Sequence, residues 1–191
     1  MPDVNEEHFL FVRRCAQFHN IWTIYDDLLT GKYKPSVGFK ELEEVDADAS
    51  LPAEMVPTVM FLLYAFFYSL IEDCDDGLDA FRIWRLKYPE EEIAIAALEI
   101  HVAPLRNDLR VFRNRLGFHG SRSHSHESKG LDFFGNHSGD KTLKIMKVFI
   151  SLNAALLQKD LATRHNSPDE LMRARSILTS IPQRCEALAG M

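Results

Sequence analysis

The sequence contains few cysteines, and their placement argues against the usual structural roles of paired cysteines. Three are present, far apart along the chain and without Cys-x-x-Cys spacing: Cys15, Cys74 and Cys185. An odd number of isolated cysteines favours neither a disulfide framework nor a zinc site. We therefore expect a reducing compartment and a cytoplasmic protein.

The chain also lacks a hydrophobic run long enough for a membrane span. Its longest uncharged run, 55–71, has 17 residues and includes Pro57 and Ser69, whereas a spanning helix needs about 20 apolar residues. The N-terminus carries Asp3 and Glu6 in place of the basic start of a signal peptide. We expect a buried helix at 55–71, no signal peptide and no membrane partner.

Strand patterns are missing too, because no stretch alternates apolar and polar residues in the way that a half-buried strand does. A length of 191 residues fits one domain. We predict an all-α fold, a single helical domain over 1–191 that forms a bundle of five or six helices. The predicted helices are 4–29, about 52–74, 78–87, about 89–116, 141–163 and 167–188, with a polar connection at 30–50.

Glycine and proline suggest where the second half of the chain departs from regular helix. Pro104 lies inside the fourth helix and predicts a kink or a short break near 101–103. Gly117 is a plausible stop for that helix. Residues 117–140 contain five Gly, five Ser and four His, which favours a long mobile loop. Asp140 is then expected to cap the next helix.

The formal net charge is −6, which argues against a general binder of polyanions. The charge is uneven, however. The window 106–147 contains nine basic and four acidic residues, a net +5, which leaves −11 for the rest of the chain. Such a window is compatible either with a solvated face or with a contact surface for nucleic acid.

A stripe of arginines follows one side of the fourth helix. Leu105, Leu109, Phe112 and Leu116 have the spacing of a core-facing stripe, and Arg106, Arg110 and Arg113 fall on the adjacent stripe. Neighbouring guanidinium groups repel each other unless an anion or a partner's acids lie between them. Because the planar guanidinium matches phosphate, the stripe is a candidate phosphate site.

His119 follows Arg113 by six residues, a spacing that would separate the two side chains on a continuous helix. A break at Gly117 would let His119 return towards Arg113 and Asn114. Histidine suits proton transfer near neutral pH, and arginine can stabilise charge on a phosphoryl oxygen. Together they could cleave RNA without a metal, because RNA supplies its own 2′-hydroxyl as the nucleophile.

The segment containing Arg113, Asn114 and His119 resembles the Arg-x(4–6)-His signature of the HEPN (higher eukaryotes and prokaryotes nucleotide-binding) superfamily. Members are small helical bundles that usually dimerise, so that two Arg/His pairs converge in one cleft. Many are metal-independent ribonucleases of toxin–antitoxin, phage-defence or RNA-processing systems, while others only bind or scaffold. The resemblance covers seven residues closely and the architecture loosely. It implies catalytic Arg113 and His119, support from Asn114, and neither cofactor nor metal.

Further residues around this motif are candidates for supporting roles. Arg106, Arg110, Arg122 and Lys129 could bind the phosphates of RNA. Glu72 and the next residue, Asp73, could orient an arginine or histidine, although the plainer interpretation is that these acids mark where the apolar helix reaches solvent. That helix is apolar nearly all round, which favours a symmetric homodimer.

Two other functions remain open at this level. The acidic stretch 41–48 favours a non-catalytic module that binds a nucleotide or a partner protein such as an antitoxin through the same cleft. A metal-dependent helical enzyme would instead use the loop histidines. Its candidate ligands are His119, His124, His126 and His137, but His-x-His pairs in loops are a weak signal of a functional metal site.

Overall fold

The computed structural model describes residues 4–32, 50–73, 77–114 and 132–190, and within these ranges the chain forms helices and no strand. The predicted all-α bundle is therefore confirmed. Its helices are α1 (Val4–Leu29), α2 (Ser50–Ile71), α3 (Ala80–Lys87), α4 (Glu92–Phe112), α5 (Gly139–Arg164) and α6 (Pro168–Ala189). A 3-10 turn, Pro89–Glu91, precedes α4, and a short helical turn at 132–136 precedes α5.

Side-chain caps set the starts of two helices. Asp79 accepts a hydrogen bond from the backbone N–H of Phe81, at 3.1 Å, and so caps α3. Ser138 accepts one from the N–H of Lys141, at 3.5 Å, and caps α5. The prediction that Asp140 caps this helix is wrong, because the helix begins at Gly139 and Asp140 lies in its first turn.

Pro104 does not interrupt α4, which continues through it to Phe112. The short break that was one expectation near 101–103 is therefore absent from this helix. Proline removes one helical hydrogen bond, that to the carbonyl of Ile100. Ile100 and Pro104 both lie on the exposed side of α4, so water can bind the carbonyl that proline leaves without a donor.

Part of the predicted loop at 117–140 is helical. Residues 115–131 lie outside the described residues, but 132–136 form a helical turn and α5 begins soon after. Phe133 is buried and Phe134 is half-buried. Their rings lie 5.7 and 5.6 Å from that of Phe112, and 5.2 and 5.8 Å from that of Tyr64. Aromatic packing therefore holds this turn against α2 and α4.

The core is built from aromatic side chains around Phe149 of α5. Its ring contacts four others, which bring α1, α2 and α3 to the same point: Phe18, Phe67, Phe81 and Trp84. Around this centre, α1 packs along α2, α5 packs along α6, and α4 lies against α2 and α6.

Helix α2 is mostly buried, as its apolar composition predicts. Its core-facing side chains are fully covered: Leu63, Tyr64, Ala65, Phe67, Leu70 and Ile71. One edge stays accessible at Pro57, Thr58 and Leu62. A search of the described ranges for a helix both long and apolar enough to cross a bilayer found none.

Cys15 and Cys185 are buried free thiols. Burial raises the pKa of Cys185 to about 11 and that of Cys15 still further, so both thiols stay protonated at neutral pH. The third cysteine, Cys74, lies outside the described residues.

We predict that Phe149→Ala lowers the free energy of unfolding by about 3–5 kcal/mol, because it leaves a cavity where four aromatic rings meet. Urea denaturation followed by circular dichroism measures this loss. Phe9→Ala is the matched control, since Phe9 is 66% exposed and its loss should change stability by about 0.5 kcal/mol at most. Equal effects of the two substitutions would contradict the assignment of Phe149 to the centre of the core.

Candidate functional site

Arg113 lies directly after α4 and pairs with Glu72, the first residue after α2. Its Nη1 donates hydrogen bonds to both carboxylate oxygens of Glu72, at 3.1 and 3.2 Å. Its guanidinium carbon lies 5.5 Å from the centre of the Tyr68 ring, within cation–π range. The side chains of Arg113 and Glu72 are 33% and 24% exposed, so the pair is accessible to a ligand yet held in place.

Arg113 and Asn114 form a wider, π-type turn that continues α4. The N–H of Arg113 itself still makes an ordinary α-helical hydrogen bond, to the carbonyl of Leu109, and also donates to that of Arg110. Such turns occur mostly as single irregularities and are frequent at functional sites. Asn114, the residue after Arg113, is exposed.

Several predicted site residues lie outside the described residues, namely His119, Arg122 and Lys129, together with Gly117. The bend at Gly117 and the approach of His119 to Arg113 therefore stay predictions. The same holds for His124 and His126 as metal ligands. A search of the described part of the chain found no group of three side chains able to hold a metal ion.

A shallow cavity of about 280 Å³, open to solvent, lies beside Arg113. It is lined by residues of α1, of α2 and of the end of α4: Arg14, Ala65, Phe66, Ser69 and Arg113. Sequence reasoning missed Arg14, which is 99 positions from Arg113 and belongs to no motif. The packing of both α1 and α4 against α2 brings the two arginines to one cavity.

Arg106 has a different environment from Arg113, although both belong to the predicted stripe. Its guanidinium lies 3.4, 3.6 and 3.3 Å from carboxylate oxygens of Asp73, Asp79 and Glu99, and 5.5 Å from the centre of the Phe81 ring. Its side chain is only 17% exposed. The acids that balance its charge thus come from the same chain, so the Arg106 guanidinium is already occupied.

Arg110 lies between these two arginines and remains exposed. Its Nη2 donates to the side-chain oxygen of Asn107 at 2.8 Å, and none of the acids in the described ranges forms an ion pair with it. Arg110 therefore presents a positive charge to solvent one turn before Asn114, and it stays a candidate for contact with phosphate.

His137 joins the helical turn at 132–136 to α4. Its Nε2 lies 2.8 Å from a carboxylate oxygen of Asp108, and Asn136 donates to the same oxygen at 3.2 Å. The His137 ring also lies 5.0 Å from that of Phe133. These contacts give His137 a structural partner in α4.

We predict that Arg106→Gln lowers the free energy of unfolding by about 2 kcal/mol at pH 7, because Asp73 and Asp79 lose the cation that pairs with them and Glu99 keeps only its ion pair with Arg85. Burial already raises the pKa of Asp79 above its ordinary value. An acid whose pKa is raised by folding costs stability when ionised, and this cost disappears as the pH falls.

The loss of free energy of unfolding in Arg106→Gln, relative to the wild type, should therefore be smaller at about pH 4.5 than at pH 7. Urea denaturation at both pH values measures this difference. Arg110→Gln serves as the control on the same helix, since this arginine has no acidic partner in the described ranges. A deficit that stays constant with pH would contradict the electrostatic explanation.

Comparison with protein-family models, with curated proteins and with solved structures found no match for this chain.

Proposed function

We propose that this protein is a metal-independent RNA endonuclease of HEPN type, with Arg113, Asn114 and His119 as its catalytic segment. The observation that carries the proposal is the Arg113–Glu72 pair at the mouth of a cavity. It supplies a positioned, accessible guanidinium at the arginine of the sequence motif. A cytoplasmic role in a toxin–antitoxin or phage-defence system is consistent with the resemblance to that family.

In the proposed reaction the His119 imidazole accepts the proton of a ribose 2′-hydroxyl. The 2′-oxygen attacks the adjacent phosphorus, the bond from phosphorus to the 5′-oxygen breaks, and a proton from an imidazolium or from water reaches the leaving oxygen. The products are a 2′,3′-cyclic phosphate and a 5′-hydroxyl. Arg113 stabilises the negative charge on the non-bridging oxygens in the transition state.

Glu72 acts as a positioning residue in this proposal. The carboxylate uses only Nη1 of Arg113, so within the described contacts Nη2 and Nε remain available to a phosphate. Fixing a flexible side chain before substrate arrives lowers the entropy lost on binding. We therefore propose that Glu72 orients Arg113 and does not merely mark the point where α2 reaches solvent.

We further propose that two copies pair through the accessible edge of α2. Thr58 and Leu62 are exposed on this edge, Phe66 is half-buried, and the same edge leads to the cavity beside Arg113. A two-fold axis close to this edge would bring two sites near each other, as a composite cleft requires. A protein partner such as an antitoxin would then cover the cleft.

We expect wild-type protein to cleave single-stranded RNA in EDTA, and Arg113→Ala and His119→Ala each to lower the rate at least about 100-fold. Loss of transition-state charge stabilisation explains the first effect and loss of proton transfer the second. Gel assays on end-labelled RNA measure the rates. A 2′-deoxy nucleotide at the cleaved position should block the reaction.

His165→Ala is the matched control, because His165 is exposed just after α5 and should leave cleavage unchanged. Wild-type protein that binds RNA but cuts none, over a wide range of ionic strength, would favour the non-catalytic binding module. Activity lost in EDTA and restored by a divalent metal would favour the metal-dependent alternative.

Leu62→Glu should convert a dimer into a monomer, because it places a charge on the accessible edge of α2 where the two copies would meet. Light scattering at micromolar concentration measures the mass. Leu161→Glu is the control, since Leu161 is 52% exposed on α5. A wild-type monomer, or a dimer that persists in Leu62→Glu, would rule out this interface.

A further inference from the structure

We propose that Arg14 and Arg113 together bind one phosphodiester group of single-stranded RNA in the cavity between α1, α2 and the end of α4. The nature of the ligand rests on the proposed function. Arg14 would be a substrate-binding residue contributed by α1, outside the sequence motif and outside the arginine stripe of α4.

The core fixes the position of Arg14 relative to α2. Phe18 stacks on Phe67 at 5.6 Å, and one helical turn earlier on α1 the Arg14 guanidinium carbon lies 5.6 Å from the centre of the Phe66 ring. The buried aromatic contact thus sets the register of the two helices, and the cation–π contact holds the arginine over the cavity. Arg14 therefore reaches the site from a rigid element.

The charges around the cavity favour a monoanion. Glu72 balances the charge of Arg113, whereas none of the acids in the described ranges forms an ion pair with Arg14. One positive charge therefore remains at the cavity, and it matches the single negative charge of a phosphodiester.

The hydrogen-bond donors at the cavity belong mainly to the two arginines. The Ser69 hydroxyl donates to the carbonyl of Phe66 at 2.7 Å, so its proton is already in use. Arg14 donates through Nη1 to the side chain of Gln17 at 3.3 Å, in an exposed position. Its remaining donors, with those of Arg113 that do not contact Glu72, can bind non-bridging phosphate oxygens, as arginine commonly does.

The test measures binding of a fluorescent single-stranded 2′-O-methyl RNA, which has no free 2′-hydroxyl and so cannot be cleaved. Anisotropy titrations at several salt concentrations give the slope of log affinity against log salt. For single strands each phosphate contact contributes about 0.7 to this slope. Arg14→Gln should reduce the slope by about 0.7 and the affinity about tenfold at low salt, and Arg14→Lys should keep the slope while losing part of the affinity.

Arg13→Gln is the matched control, because it removes the same charge from the neighbouring exposed position of α1 without touching the cavity. It should leave the slope nearly unchanged, and thermal melting shows whether each variant is folded. If Arg14→Gln and Arg13→Gln bind alike, the proposal is wrong, even where the wild type cleaves RNA.

Cleavage assays separate this proposal from the proposed function. Wild-type protein that binds the uncleavable RNA in an Arg14-dependent way but cuts no RNA would support the binding site and overturn the nuclease. Wild-type protein that neither binds nor cuts RNA would overturn both.

Discussion

The end of α2 meets the side of α4, and this junction determines what each arginine of the stripe can do. Arg106 and Arg113 are seven residues apart, two helical turns or about 10.5 Å, and so lie on one side of α4. The consecutive acids Glu72 and Asp73 reach one arginine each. Arg106 gains two further carboxylates and the Phe81 ring, while Arg113 gains the Tyr68 ring but no further carboxylate within the described ranges. The first arginine is thereby used for structure, and the second remains available to a ligand.

The Arg113–Glu72 pair contributes little to the stability of the fold. Ion pairs as exposed as this one contribute at most about 1 kcal/mol, since water screens the charges and two side chains lose freedom. In the proposed site, a carboxylate beside the phosphate would also repel the ligand. Under the proposed function, Glu72 orients Arg113 at the cost of one positive charge at the cavity. Arg14 restores that positive charge.

The number of helices and their order along the chain could be predicted from the sequence. Apolar residues recur every three or four positions over long segments, as in α1 and α5. The helical turn at 132–136 could not be predicted, because two adjacent phenylalanines do not recur at the three- or four-residue spacing of a helix. Their contacts with Tyr64 and Phe112 explain why this segment packs against α2 and α4. The place of Arg14 at the cavity could not be predicted for a related reason. No local sequence pattern indicates which helices pack against each other. The sequence suggests that Glu72 could pair with an arginine or a histidine. Only the packing of α2 against α4 identifies that partner as Arg113.

The charge distribution shows why a basic stretch of sequence is not the same as a basic surface. The window 106–147 carries a net charge of +5. Two of its arginines, Arg106 and Arg113, are nevertheless paired with acids from outside the window, namely Glu72, Asp73, Asp79 and Glu99. Conversely, Arg14 lies in the part of the chain whose net charge is −11, and none of the described acids pairs with it. A phosphate group responds to the charge that remains after such pairing. Because few uncompensated arginines surround the cavity, the proposed recognition of a phosphate there would depend on the geometry of single guanidinium groups more than on a broad electrostatic field.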